Sequence, residues 1–337
     1  MQAVILSGGF GTRMRPLTYS TPKPLLPIIN KPLIQHVVDQ LPDEVDEVVL
    51  AANYKIDMLR DYFNEVDTDK TVHVVDEPEP RGTGGAVRNV DEYLYDTFFV
   101  INADIISSIE LADYLDFYRK KDAVGAISAW EVDNPEEFGI FELDENDRIL
   151  RFQEKPNPWE AFSNTINAGH YILEPEVIDM IPADRKVSME REIFPKLIDK
   201  GFYGYKFDGF WVDCGRPSSF LKANRILLEH HSGKRNVKHI VGDRSYVHGD
   251  AGEYVSIGMD CTIQDSHLSN CIIFDGVEID EGCRIENSII GYDVVIEENV
   301  TVKDSVIPDD LVIEAGGEII DKKLQPDEIE DYEPEEV

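Results

Sequence analysis

Residues 6–18 read LSGGFGTRMRPLT and residues 21–27 read TPKPLLP. Just ahead of them, residues 2–6 form a short apolar run suited to a buried strand, and Gly8, Gly9 and Gly11 leave the backbone free to fold tightly against a ligand. Successive amide N–H groups of such a turn can face an anion. Arg13 and Arg15 add guanidinium donors, and Lys23 stands between Pro22 and Pro24, which fix their own φ and restrict the residues before them. A strand, a glycine turn and a pre-positioned ammonium predict a site for nucleotide phosphates. Two common nucleotide loops are excluded by wording, because the dinucleotide fingerprint needs glycine where Met14 stands and a Walker loop needs Lys-Ser/Thr where Thr12 and Arg13 stand.

From this loop to about residue 130, strand-like runs at 3–6, 48–52, 72–75, 98–101 and 124–130 alternate with helical patterns at 33–41, 56–66, 84–95 and 109–121. That βαβ rhythm predicts an α/β fold with a Rossmann-like, mostly parallel sheet covered on both faces. Ligands of such sheets gather beyond the carboxyl ends of the strands. Both the glycine loop and Asp104 fall there. Residues 138–173 are richer in strand pattern, at 138–143, 149–154 and 168–173, and helical segments at 176–181, 190–199 and 218–231 bracket a strand at 203–207.

Beyond residue 231 the pattern changes. Residues 232–238, SGKRNVK, lapse into a linker, which we extend to 232–250. Small or apolar residues then recur six apart at Cys271, Val277, Cys283 and Ile289, and again at Val294, Val300 and Val306, a period that signals a β-helix built from hexapeptides over 251–320. The spacing slips near His267 to Cys271. Residues 321–337 are expected to be an acidic, solvated tail, since PDEIEDYEPEEV at its end lacks an apolar face.

The 337 residues, 42% hydrophobic, suffice for two domains, and a formal charge of −35 argues against nucleic acid or an anionic membrane as partner. An anionic substrate would be bound against that overall field, a conflict that Mg²⁺ eases. The same acidity raises salt adaptation as an expectation. No basic segment leads into an apolar h-region and no run reaches bilayer-spanning length, so the simplest reading is a cytoplasmic enzyme. Cys214, Cys261, Cys271 and Cys283 form no C-x-x-C pair or zinc-like pattern and are read as reduced, mostly buried thiols.

The glycine loop resembles the signature of the sugar-1-phosphate nucleotidyltransferases, which make nucleotide sugars, and its wording is closest to the guanylyl branch that takes mannose-1-phosphate. Similar landmarks follow in the family's order: Gly82-Thr83-Gly84-Gly85, Asn102-Ala103-Asp104, Phe138-Gly139, Glu154-Lys155-Pro156, Asn167-Ala168-Gly169, the run SMEREIFP at 188–195, and Phe210-Trp211-Val212-Asp213. They span residues 1 to about 230. The resemblance implies a GT-A-like catalytic domain over 1–231, with residues 138–173 as its sugar-side lobe, and a short left-handed parallel β-helix after it. It also implies a reaction of a nucleoside triphosphate with a sugar-1-phosphate, giving a nucleotide sugar and pyrophosphate.

The sugar phosphate is already ionised at neutral pH, so this chemistry needs no general base. It needs two polyanions aligned and charge stabilised on the α-phosphorus. By resemblance Asp104 and Asp213 hold Mg²⁺, Arg13 steadies the departing pyrophosphate and Lys23 lies near the α-phosphate. Leu6, Gly8, Gly9, Gly11, Thr12, Glu77, Gly82 and Thr83 are implied to contact the nucleotide. Lys155 is implied to bind the sugar phosphate from an extended segment, with Gly139, Glu154 and Asn167 at the sugar hydroxyls.

Thymidylyl and uridylyl relatives carry glutamine where, aligned on Gly82, this sequence has Glu77. A carboxylate only accepts, which suits guanine's N1–H and amine but faces carbonyl oxygens on uracil or thymine. GTP with mannose-1-phosphate is therefore the expected pair, ahead of a glucose-1-phosphate thymidylyl- or uridylyltransferase. A non-catalytic regulatory subunit is countered by intact Arg13, Lys23, Asp104 and Asp213. An acyltransferase using His248 or His267 is countered by the shortness of the β-helix. Homo-oligomerisation through the β-helix is its expected use.

Overall fold

The computed structural model describes residues 1–231 and 238–326. Residues 232–237 of the expected linker, and 327–337 of the expected tail, lie outside the described residues. The chain divides into two compact units, one of Met1–Gly9 and His36–Trp211, the other of Phe10–Gln35 and Val212–Val337.

The first unit is a nine-stranded mixed sheet. Its parallel centre sets Phe98–Asn102, Gln2–Leu6, Glu47–Ala52 and Thr71–Asp76 side by side, in register from Gln2 opposite Glu47 and Phe98 to Leu6 opposite Ala51 and Asn102. Val4, Val49 and Val100 are fully buried, as continuous apolar strands with both faces covered must be. The carboxyl ends of these strands lie together and deliver Ser7, Asn53, Glu77 and Ala103 to one edge. The expected sugar-side strands Gly139–Leu143 and Ile149–Glu154 join this same sheet, as an antiparallel extension through Thr165–Leu173. That last strand shifts register between Asn167 and Tyr171, where Gly169 takes φ 83. Segments read as helices at 176–181 and 190–199 are a 3-10 helix, Pro175–Met180, and a π turn, Met189–Ile193, running into a short α-helix, Phe194–Leu197.

In the second unit, three stacks of short parallel strands form a left-handed β-helix. Its first strands, His239–Val241 and Tyr246–Val247, lie within residues read from the sequence as linker. The polar wording there hid them, because the outermost coil is exposed on sides that inner coils bury. One coil advances 16 residues from Thr262 to Glu278 and 17 from Glu278 to Val295, two and one short of three hexapeptides. At least one corner per coil is therefore a residue tighter, and the six-residue row drifts: Ile289 stacks on Ile272, not beneath Cys271. Ile272, Ile289 and Val306 are buried yet stand outside the interior cluster of Cys271, Ile273, Val277, Ile290 and Ile307. They face outward on the side that carries the helix Pro217–His231. Asn224 of that helix docks it, accepting from Ser256 Oγ at 2.7 Å and Ile29 N at 3.2 Å, and Asn30 Nδ2 donates to Ile257 O at 2.6 Å. All four cysteines are buried and unpaired with one another, and burial pushes the Cys271 thiol up to about 12.

Candidate active site

In the first unit, Glu77 follows the strand Thr71–Asp76 and is 4% exposed. Its Oε1 accepts from Arg81 N at 2.9 Å, and its Oε2 lies 3.0 Å from where a side chain on Gly8 would begin. Gly8 is thus the floor against which this carboxylate sits. Burial raises the Glu77 pKa, with Arg81 pulling the other way. Asn53, at the end of the neighbouring strand, has both Nδ2 and Oδ1 buried without a hydrogen-bond partner. A buried carboxylate and an unsatisfied amide beside a glycine form a polar patch that a flat, donor-rich ring would complete. Leu6 and Gly9 flank it in the chain, and the half-buried Asp104 follows the neighbouring strand, Phe98–Asn102.

Gly82 and Thr83 open the helix Gly82–Asn89, and their close contacts are internal. A side chain on Gly82, at φ 76, would begin 2.6 Å from Val187 O, and Gly84 N donates to the same oxygen at 2.9 Å. The Thr83 hydroxyl donates to Glu190 Oε2 at 2.7 Å and accepts from Met189 N at 2.9 Å. Its hydroxyl therefore ties the GTGG turn to the SMEREIFP segment and has its donor in use there.

The sugar-side residues cluster. Gly139 faces Glu154 across a strand pair, with Glu154 Oε2 standing 2.6 Å from where a side chain at 139 would begin. Burial and then the nearby Glu190 carboxylate raise the Glu154 pKa. Asn167 donates from Nδ2 to Tyr171 Oη and accepts at Oδ1 from Gly169 N, both at 2.9 Å, which fixes its amide. Lys155 is not extended as Pro156 suggested: it takes φ 44, its N–H donating to Phe138 O at 3.0 Å. Pairing with Phe138 carries the ladder past Glu154 and forces the turn at the next residue, a strained backbone of the kind functional sites hold.

The second unit carries Gly11, Thr12, Arg13, Lys23 and Asp213. Gly11 is left-handed at φ 63 and leads into the 3-10 turn Thr12–Met14. A side chain there would begin 2.9 Å from Thr18 Cγ2 and 3.2 Å from Lys23 Cβ, while Thr18 Oγ1 donates to Gly11 O at 2.9 Å. Only glycine fits. Lys23 starts the 3-10 turn Lys23–Leu25 behind an extended Pro22 and is 9% exposed, as its proline brackets imply. Asp213 Oδ1 accepts from Gly215 N at 2.8 Å, and both Arg13 Nη2 and Asp213 Oδ1 lie 2.8 Å from where a side chain on Gly215 would begin. Arg13 and Asp213 therefore both border the space above Gly215, without pairing directly.

Asn53 and Glu190 escaped the sequence reading. Asn53 follows its strand as Asp104 follows another, so the carboxyl-end rule could have found it; Glu190 sits within the quoted SMEREIFP and has no periodic signal. His267 is exposed and pairs with Glu286 at 3.3 Å, the role of a surface residue. No helix among the described residues is long and apolar enough to cross a membrane.

The chain belongs to the nucleotidyl transferase family, whose model matches residues 2–230, and the model of the GMPPB C-terminal domain matches residues 238–328. Mannose-1-phosphate guanylyltransferase 1 of Arabidopsis thaliana is 36% identical over 301 residues, covering 83% of this chain and 82% of that protein. The mannose-1-phosphate guanylyltransferase of Mycobacterium tuberculosis is 36% identical over 305 residues, covering 85% and 83%. Among solved structures, HddC from Yersinia pseudotuberculosis complexed with GMP-PN is 29% identical with a TM-score of 0.54, covering 66% of this chain and 97% of that one. A putative glucose-1-phosphate thymidylyltransferase from Bacillus anthracis shares the fold at 24% identity and a TM-score of 0.60, covering 66% and 94%.

Proposed function

We propose that the chain joins GTP to mannose-1-phosphate, giving GDP-mannose and pyrophosphate. The observation that carries the base is the buried Glu77 carboxylate against Gly8 beside the unsatisfied Asn53 amide. Relatives named for the same reaction supply the sugar. A sugar-phosphate oxygen forms the new bond to the α-phosphorus, and the bond from that phosphorus to the bridging oxygen breaks with pyrophosphate leaving. Arg13 and Lys23 bind the triphosphate, Lys155 the sugar phosphate, and Glu154 and Asn167 the sugar hydroxyls.

The family works with a divalent metal. We assign Mg²⁺ to Asp104 and Asp213. Among the described residues no group of three or more His, Cys, Asp or Glu could hold an ion, so the two carboxylates would need phosphate oxygens and water as further oxygen donors. That donor set fits Mg²⁺, which when bound would neutralise phosphate charge. Arg13, which borders Gly215 as Asp213 does, would then offer its guanidinium where pyrophosphate charge builds.

We place the enzyme in the cytoplasm and its self-association on the β-helix, where Tyr246 and Val312 are 59% exposed apolar side chains of one strand stack. Sedimentation velocity of Tyr246→Lys/Val312→Lys should give a smaller species than the unmodified chain; an unchanged mass contradicts that assignment. The activity is tested by a coupled pyrophosphate assay across four nucleoside triphosphates, each with mannose-1-phosphate and glucose-1-phosphate. Clear preference for UTP or dTTP would refute the assignment of the base.

A further inference from the structure

One cavity of about 870 Å³ lies within the second unit. Its size falls in the ordinary range of small-molecule sites. Its walls are the helix Pro217–His231 and one side of the β-helix. In a chain with 32 basic and 67 acidic residues, its charged lining runs the other way: Arg13, Arg216, Lys222, Arg225, Lys322 and Lys323 against two carboxylates, Asp304 and Asp321. Among the described residues neither Lys222 nor Lys322 has a carboxylate at ion-pair distance, and the Arg225 pair with Glu229 is long at 3.7 Å. The six cations outnumber the two carboxylates, which leaves this cavity cationic within an acidic chain. The first helical residues, Pro217 and Ser218, also line it, which adds the positive end of that helix.

The floor differs in chemistry. Asn270, Asn287 and Asp304 stack one coil apart in left-handed backbone, with Asn270 Nδ2 donating to Asn287 Oδ1 and Asn287 Nδ2 to Asp304 Oδ1, each at 2.9 Å. Asp321 continues the column at φ 52. Carboxylate oxygens at the end of such a ladder accept from hydroxyls and repel phosphate, so cations and acceptors divide the cavity between two kinds of ligand group. Ile289, Val306 and Leu221 supply the apolar wall for a carbon skeleton.

We infer that this cavity binds a sugar or polyol carrying two phosphates, as an effector that reaches the triphosphate loop through Arg13. The phosphates sit on Lys222, Arg225, Lys322 and Lys323, and the hydroxyls on Asp304 and Asp321. Lys323 links it to the chemistry: its Nζ donates to the backbone oxygen of Arg13 at 2.7 Å, inside the loop that steadies the triphosphate. A phosphate bound in the cavity would compete with that oxygen for the Lys323 ammonium. The regulatory part rests on the proposed function; the binding part does not.

Calorimetry with glucose 1,6-bisphosphate and with inorganic phosphate tests it on the full chain, without turnover. Binding of the bisphosphate tighter than phosphate, lost by at least about tenfold in Lys222→Glu/Lys322→Glu but kept in Lys155→Ala, is expected. Saturating bisphosphate should then shift the KM for GTP in the unmodified enzyme and leave it unmoved in the double variant, whose basal activity is unchanged. Equal binding by the double variant, or loss in Lys155→Ala instead, would overturn the site. So would absence of binding together with a changed sedimentation mass in the double variant, which would make this face a contact between copies.

Discussion

Replacing Glu77 by glutamine isolates the choice of base. The side chains are isosteric, and a glutamine Oε1 can keep the 2.9 Å bond from Arg81 N, so the substitution changes only what stands near Gly8: an acceptor oxygen becomes an N–H donor. Guanine would then meet a donor with its own N1–H and amine. A hydrogen bond to a charged group contributes about 1.5–3 kcal/mol, and a donor facing a donor forfeits that, so about 3 kcal/mol of nucleotide binding should vanish. The corresponding loss in kcat/KM for GTP is roughly 100-fold, while UTP and dTTP improve because their carbonyls now find a donor. Stability should not suffer. Burial raises the Glu77 pKa above its unfolded value, so the native state holds the proton longer and Glu77 weakens the fold as pH rises through that window. Glutamine removes the penalty. Steady-state kinetics with GTP, UTP and dTTP, alongside thermal melts at pH 7, would read both effects. An unaltered GTP preference in a folded Glu77→Gln protein would refute the base assignment.

Asp104→Ala and Asp213→Asn should each lower kcat by a factor on the order of 10²–10⁴ and flatten the Mg²⁺ dependence, with circular dichroism unchanged; near-normal turnover in either would remove that residue from the metal. Gly215→Ala places a methyl 2.8 Å from both Arg13 Nη2 and Asp213 Oδ1, so kcat should fall by roughly 10–100-fold with little change in Tm, and full activity would show that the placement of these two side chains around Gly215 does not matter to turnover. Fully buried His170, beside Ser128 Oγ at 3.2 Å, has its pKa pushed down to about 4 by burial. Unfolded chains bind that proton first, so stability contributed by neutral His170 is complete above pH 6.5 and declines by about 3 kcal/mol as pH falls to 4. Denaturant titrations of His170→Gln should show a shallower decline over that interval; an identical slope would contradict it.

The inner strands of the sheet were legible because they are buried on both faces, so that 3–6, 48–52 and 98–101 stand out as unbroken apolar runs within a residue or two of their ends, while 72–75, interrupted by His73, is a partly exposed edge strand. The same logic put Asp104 at the carboxyl edge and could have put Asn53 there. What local pattern does not encode is who pairs with whom: the strands around Phe138 and Ile149 were read as strands of the sugar-side lobe, but their antiparallel pairing onto the central sheet was not readable. In the β-helix, the six-residue period was visible but its register was not. A corner one residue short moves each row relative to the next, and Ile289 is buried by the covering helix, which mimics an inward position. Lys155 shows the limit of dipeptide rules, since pairing of its N–H with Phe138 overrides the extended preference before Pro156. Glu190 was unreadable because its partners, Thr83 and Ser188, are brought together by a π turn.

The most direct measurement is phosphorus NMR of the enzyme with Mg²⁺, GTP and mannose-1-phosphate. Resonances of a GDP-sugar diester and of free pyrophosphate should grow in equal amounts while both substrates decline together. Persistence of GTP and mannose-1-phosphate, or product formed only from glucose-1-phosphate with UTP or dTTP, would contradict the account.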